Sequence, residues 1–197
     1  MPLVDRADST LVVVDAQRVF FDQRTMTEQE RAQGAAALER LRWLAGLAAL
    51  LEVPAVVVEE GPARNGSTDE QLLERLPPGT PVFAKETFSL VAEDGAVAAM
   101  RDTGRRTAVV GGFETDTCVA QSAIQLHDLG FRVVVPEDAA YTTGDLEHRR
   151  GLDQMLRAGV EILHCKGVAF EWLRTVEDAT RTLRAAEERF GPPPLRL

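Results

Sequence analysis

Cysteine is scarce in this chain: Cys118 and Cys165 are the two among 197 residues, too few for a disulfide framework in a polypeptide of this length. Basic residues are also in deficit, since 22 Lys and Arg against 31 Asp and Glu leave a formal net charge of −9 at pH 7. That sign argues against a nucleic-acid partner, whose binding depends on neutralising phosphates with Lys and Arg. No apolar run approaches the roughly 18 residues that span a bilayer, and the start MPLVDRADST lacks the basic stretch and apolar segment of a secretory signal. These absences predict a cytoplasmic location, no membrane partner, and cysteines held as thiols. The first apolar run ends in Asp15-Ala16-Gln17-Arg18, without the Gly-x-Gly-x-x-Gly turn of a dinucleotide site. No phosphate-cradling loop occurs elsewhere, so no cofactor is expected.

What is present suits a globular domain. Hydrophobic residues make up 45% of the chain, ample for a core, and no repeat, low-complexity tract or linker divides it. It reads as a single domain over 1–197. Apolar strand-like runs alternate with helical stretches, the pattern of repeated strand–helix–strand units. Six strands are expected: Leu11–Val14, Ala55–Val58, Val82–Ala84, Thr107–Val110, Val133–Val135 and Glu161–Leu163. The first is nearly continuous in β-branched residues, as in a parallel sheet covered on both faces. Helical patterning runs from about Thr27 to Glu52, with Leu38, Leu41, Leu44, Leu47 and Leu51 at three- and four-residue intervals. Shorter helices are expected from a cap at Ser67 or Thr68 through Leu73, over 95–101, from a capped start near Cys118 to Gly130, and along the charged tail 170–190. The fold class is therefore α/β, a Rossmann-like three-layer sandwich with a mostly parallel six-stranded sheet flanked by helices.

In open parallel sheets ligands bind beyond the carboxyl ends of the strands. Three reactive side chains fall there: Asp15 closes the first strand, Lys85 closes the third, and Cys118 follows the fourth at the start of a helix. A thiol at a helix N-terminus faces the positive end of the dipole and unpaired N–H groups, which favour the thiolate. The same N–H groups can receive the negative oxygen formed when sulfur attacks a carbonyl. The segment Gly111-Gly112-Phe113-Glu114-Thr115-Asp116-Thr117-Cys118 thus has the logic of a nucleophile elbow built around sulfur. A cysteine nucleophile needs a base. His127 lies well inside a helix, His148 in the polar run EHRR and His164 after the last strand, so Asp15 takes that role, with its proton affinity raised by burial. Lys85 would support both carboxylate and thiolate. The alternative is a buried, inert Cys118 beside a structural Asp15–Lys85 ion pair.

Three segments, LVVVDAQRVFFD, FAKETFS and VVGGFETDTCVAQSAIQLHDLGFRVVVPEDAA, resemble the isochorismatase-like cysteine hydrolases, which include nicotinamidases and N-carbamoylsarcosine amidases. The resemblance extends from Leu11 to about Ala140. It implies that Cys118 attacks a small substrate, Asp15 acts as base and acid, and Lys85 supports both. It also implies a cis peptide between Phe113 and Glu114 and an oxyanion site formed by the N–H groups of Glu114 and Cys118. A homo-oligomer, dimer or larger, is expected of such relatives.

Departures narrow that reading. Zinc-dependent nicotinamidases carry an Asp-x-His pair and a further histidine, where this chain has VVVEEGPARNGSTDEQ. Glu59 and Glu60 are the nearest candidates for a hard cation, but adjacent carboxylates on one strand diverge, so no metal is expected. Leu90 and Val91 stand where many relatives place an aromatic residue. Members that cleave the vinyl ether of isochorismate lack the cysteine. The reading is a metal-independent cysteine hydrolase cleaving a C–N bond of a small amide or ureido compound through a thioester acyl-enzyme. An ester or ether hydrolase on the same fold, or a non-catalytic or thiol-redox binding protein, is the alternative. Gln17 and Phe20 are placed at the substrate pocket, Phe20 with equal claim to the core. Tyr141 and Trp172 are weaker pocket candidates, and Cys165 is read as a packing residue.

Overall fold

The computed structural model describes residues 2–197. Strands β1 (Ser9–Val14), β2 (Ala55–Glu60), β3 (Val82–Lys85), β4 (Thr107–Phe113), β5 (Arg132–Pro136), β6 (Ala140–Tyr141) and β7 (Glu161–Leu163) form one seven-stranded sheet. Its order is β3-β2-β1-β4-β5-β7, with β6 paired to β4, and every pairing is parallel. The sheet therefore has one more strand than the sequence pattern predicts. Strand β6 is two residues long, below the length at which alternation becomes visible. It takes over as neighbour of β4 at Gly112 and Phe113, beyond the stretch of β4 that pairs with β5.

All six residues of β1 are buried, and alternate side chains enter different cores. Leu11 and Val13 join the cluster with Leu41, Leu44, Val57, Val109 and Trp172. Val12 and Val14 join Val56, Val58, Val110, Met100 and Leu126 on the opposite face. Each such aliphatic side chain contributes roughly 1.5–3 kcal/mol by leaving water, so β1 is fixed from both sides. The first face is covered by α1 (Glu28–Leu50), α7 (Cys165–Leu173) and α8 (Val176–Phe190). The second is covered by α4 (Asp94–Asp102) and α5 (Ala120–Asp128), with α6 (Asp145–Arg157) beside α5. The short helices α2 (Pro62–Asn65) and α3 (Glu70–Arg75) follow β2.

Helix α1 starts where Thr27 and Glu30 form a capping box: the Thr27 hydroxyl accepts from the Glu30 N–H, and the Glu30 carboxylate accepts from the Thr27 N–H at 2.7 Å. The cap of α3 is Asp69 rather than Ser67 or Thr68, accepting from the Leu72 N–H at 2.8 Å. The expected tail helix is two helices, because Arg174 ends α7 in a left-handed conformation, φ 62°. Helix α6 was not anticipated; its exposed, strongly polar face hides the buried Met155 and Gly151. Among the described residues no helix is long and apolar enough to cross a membrane.

Strand β4 runs through Gly111 and Gly112 instead of stopping before them. Gly112 has φ 139°, and a Cβ there would collide with the Val14 carbonyl of β1. Glycine at this position is what lets β4 continue to Phe113 and deliver the following turn to the sheet edge.

Candidate active site

Beyond the carboxyl ends of β1, β2, β3 and β4, four side chains meet. Asp15 leaves β1 in a left-handed conformation, φ 50°, which Asp adopts more readily than most residues, and its N–H donates to the Val58 carbonyl at 3.0 Å. Lys85 ends β3, and its Nζ donates to Asp15 Oδ2 at 2.7 Å and to the Thr87 carbonyl at 2.9 Å. Both residues are out of solvent, with exposures of 0% and 2%. Asp15 Oδ1 is buried without a hydrogen-bond partner. Cys118, 3% exposed, directs its thiol to Glu60 Oε2 at 3.5 Å. One oxygen from Asp15, one from Glu60 and the sulfur lie within 4.8 Å of one another.

The turn that carries Cys118 is a π-helical segment, Thr115–Val119, continuous with α5. Glu114 precedes it without a side-chain cap, and the Val119 N–H donates to the Glu114 carbonyl at 3.1 Å. The capped helix start expected at Cys118 is thus replaced by a wider turn. The Phe113–Glu114 peptide is cis. Two supports hold the turn. The Thr115 hydroxyl hydrogen-bonds His148 Nδ1 of α6 at 2.9 Å. Gly151 lets α6 approach closely, because a Cβ there would lie 2.7 Å from Asp116 Cα. One helical turn beyond Cys118, the Ser122 hydroxyl accepts from the Leu90 N–H at 3.0 Å and ties α5 to the segment after Lys85.

Burial governs the charges. It raises the Asp15 carboxyl to about 6, against the opposing pull of Lys85. Burial also pushes the Cys118 thiol up, reinforced by the Asp15 carboxylate and opposed by Lys85. These surroundings favour the protonated thiol, whereas position at a helix start alone favours a thiolate. Loss of water and two nearby carboxylates outweigh one cation that already belongs to Asp15. Glu114 is likewise raised, first by burial and then by Asp116 and Glu60.

Gln17 is fully buried, and its amide is engaged by backbone. It accepts from the Glu60 N–H at 2.8 Å and donates to the carbonyls of Glu60 at 3.0 Å and Gly66 at 2.5 Å. It holds the end of β2 through backbone partners far along the chain, which the sequence alone does not reveal. Phe20 packs, half-buried, against the α1-side core, the opposite cluster from Cys118. Tyr141 is buried edge-on to Phe113 at 6.4 Å, its hydroxyl without a partner. Trp172 donates to Ser9 Oγ at 3.2 Å within the core. Strand β2 extends to Glu60, and the two adjacent carboxylates part: Glu59 accepts from the Thr68 N–H at 2.7 Å while Glu60 meets Cys118. Sequence reasoning named Glu60 as a cation ligand at most; its place beside the thiol follows from the register of β2 and β3, in which Glu60 is opposite Lys85. Asp15, Glu60 and Cys118 offer three atoms to a metal, yet the Lys85 ammonium already holds Asp15 and opposes a second cation there.

A doubly wound parallel sheet with a cysteine, a carboxylate and an ammonium gathered at its carboxyl edge defines the class of α/β protein. Residues 9–166 match the Isochorismatase domain model, and the chain belongs to the isochorismatase family. It is 31% identical over 124 residues to isochorismatase domain-containing protein 1 of Danio rerio, covering 63% of this chain and 43% of that one. The chain thus spans less than half the length of that relative. Among solved structures, the YcaC gene product of Escherichia coli, described as an octameric hydrolase of unknown specificity, superposes with a TM-score of 0.81 at 22% identity, over 94% of this chain and 89% of that chain. N-carbamoylsarcosine amidase of Thermoplasma acidophilum superposes with a TM-score of 0.66 at 19% identity, over 80% of this chain and 96% of that chain.

Proposed function

We propose that this protein is a metal-independent cysteine hydrolase that cleaves a carbon–nitrogen bond of a small amide or ureido compound. The observation that carries the proposal is the buried Asp15 Oδ1, which lacks a hydrogen-bond partner in a cluster that includes the Cys118 thiol. At neutral pH a carboxyl titrating near 6 is mostly ionised and can accept the thiol proton as sulfur attacks, so no resting thiolate is required.

In the proposed reaction Asp15 removes the proton from Cys118 while Sγ bonds to the substrate carbonyl carbon. The carbonyl oxygen becomes negative and is received by the N–H groups of Glu114 and Cys118. The C–N bond then breaks as protonated Asp15 gives its proton to the leaving nitrogen, leaving a thioester on Cys118. Water attacks the thioester, Asp15 takes a proton from it, the C–S bond breaks, and the sulfur regains that proton from Asp15 as the acid departs. Lys85 keeps Asp15 oriented and holds positive charge beside it throughout. The likeness to N-carbamoylsarcosine amidase supports the bond class, and the octameric neighbour supports self-association.

The test is ammonia release from a panel of small primary amides and ureido compounds, beside acid release from esters of the same acids. Ammonia release that disappears in Cys118→Ala, with the variant still folded, is the expected result. Full activity in Cys118→Ala, or turnover of esters alone, would overturn the proposal.

A further inference from the structure

Glu60 Oε2 lies 3.5 Å from Cys118 Sγ, about the distance at which a reacting carbon must itself approach the sulfur, roughly 3–3.5 Å. A carbonyl carbon that reaches the sulfur from the Glu60 side places one of its substituents against this carboxylate. A carboxylate only accepts hydrogen bonds, so it selects for donors and against other acceptors.

Its charge is poorly balanced. Among the described residues Glu60 forms no ion pair; Arg64 pairs instead with Glu86 at 2.9 Å, out in solvent. Lys85 is matched by Asp15 at 2.7 Å. Glu114, half-buried, and Asp116, with a buried Oδ1 that lacks a partner, add acidic groups to the turn that bears Cys118. The backbone that bears the carboxylate is fixed in place, since Gln17 binds both the N–H and the carbonyl of Glu60 and Asn65 Nδ2 donates to that carbonyl at 2.9 Å, while the same Nδ2 lies 3.4 Å from Glu60 Oε1. An acceptor that lacks a paired cation, beside a nucleophile and on a well-held stretch of backbone, is a specificity element.

Resting on the hydrolase reading above, we infer that Glu60 sets the charge class of the substrate: a positively charged nitrogen, or a group rich in N–H donors, lies within about three bonds of the scissile carbonyl, and a carboxylate in that place is rejected. This also disfavours esters, whose bridging oxygen offers the carboxylate no donor.

The experiment uses three amides of similar size, β-alaninamide (cationic), butyramide (neutral) and succinamate (anionic). Wild type should rank their kcat/KM in that order. In Glu60→Gln the advantage of β-alaninamide over butyramide should fall about tenfold, and succinamate should rise, as expected for loss of one close charge pair. The same compounds are titrated calorimetrically into Cys118→Ala and into Cys118→Ala/Glu60→Gln, where no turnover intervenes. Tighter binding of the cation than the anion, lost in the double variant, supports the inference even if no amide is hydrolysed, in which case only the amidase reading falls. Equal binding of the three, no binding of the cation at millimolar concentration, or a preference unaltered by Glu60→Gln overturns the role of Glu60.

Discussion

Cys118 and Cys165 share nearly every local property. Both are buried, at 3% and 0% exposure, both stand at or near the start of a helix, and both thiols are pushed up chiefly by burial. Each even has a carboxylate and a cation nearby: Asp15 and Lys85 for one, Asp138 and Arg40 for the other. What differs is the state of the carboxylate. Asp138 Oδ1 accepts from the Cys165 N–H at 2.7 Å; its Oδ2 is, like Asp15 Oδ1, buried without a hydrogen bond, but it has His164 Nε2 at 3.1 Å and Arg40 Nε at 3.4 Å within ion-pair distance. Asp15 gives one oxygen to Lys85 and leaves the other unpartnered. One carboxylate caps a helix and faces an arginine and a histidine, which oppose its taking up a proton; the other has a single cation and an oxygen turned to the thiol cluster. Residue type, helix position and hydrogen-bond accounting therefore do not separate a packing cysteine from a candidate nucleophile, whereas the cations around each carboxylate do.

The comparison breaks most directly by exchanging each sulfur for oxygen. Cys118→Ser should reduce turnover at least about a thousandfold, while Cys165→Ser should change kcat by less than about threefold and appear mainly as lost stability. Comparable losses of kcat in both variants would erase the distinction.

Next in size is the response to deleting each cation. Lys85→Met leaves the Asp15 carboxylate buried and unpaired, which costs about 3–5 kcal/mol. Arg40→Met removes a partly exposed partner and should cost about 1 kcal/mol or less. Denaturant midpoints of the two variants measure the contrast.

A pH profile sharpens it further. Because Asp15 must be ionised to act as base, kcat/KM should fall as pH drops through about 6. Stability runs the other way for this group. Its folded value lies above the unfolded 3.8, so the protonated form favours the fold at low pH, and that contribution is lost as pH rises from 3.8 through 6. An acid limb near 4 instead would mean that Lys85 overrides burial.

The smallest effect concerns the support of the turn. Thr115→Val removes the bond to His148 and should lower stability by about 1 kcal/mol, with a larger fractional loss in kcat than in KM if the turn positions Cys118. Equal, unchanged kinetics would make that bond purely structural.

The order of strands and helices was legible because burial on both faces writes long β-branched runs into the sequence, and Leu spacing writes α1. Asp15, Lys85 and Cys118 were legible as residues ending strands or opening a helix. Helix α6, strand β6 and the break at Arg174 were not, since short or polar elements carry little periodicity. Gln17 shows the limit well: an amide beside a strand end reads equally as ligand contact or as a clamp on distant backbone.

By itself the sequence determined which side chains stand at the carboxyl edge of the sheet, because strand ends follow from local patterning. Only the tertiary structure decided that Glu60 faces the Cys118 thiol, that Asp15 keeps an oxygen without a hydrogen bond, and that burial favours the protonated thiol. Those depend on register between strands distant in sequence and on exclusion of water, and neither quantity is carried by any local stretch of residues.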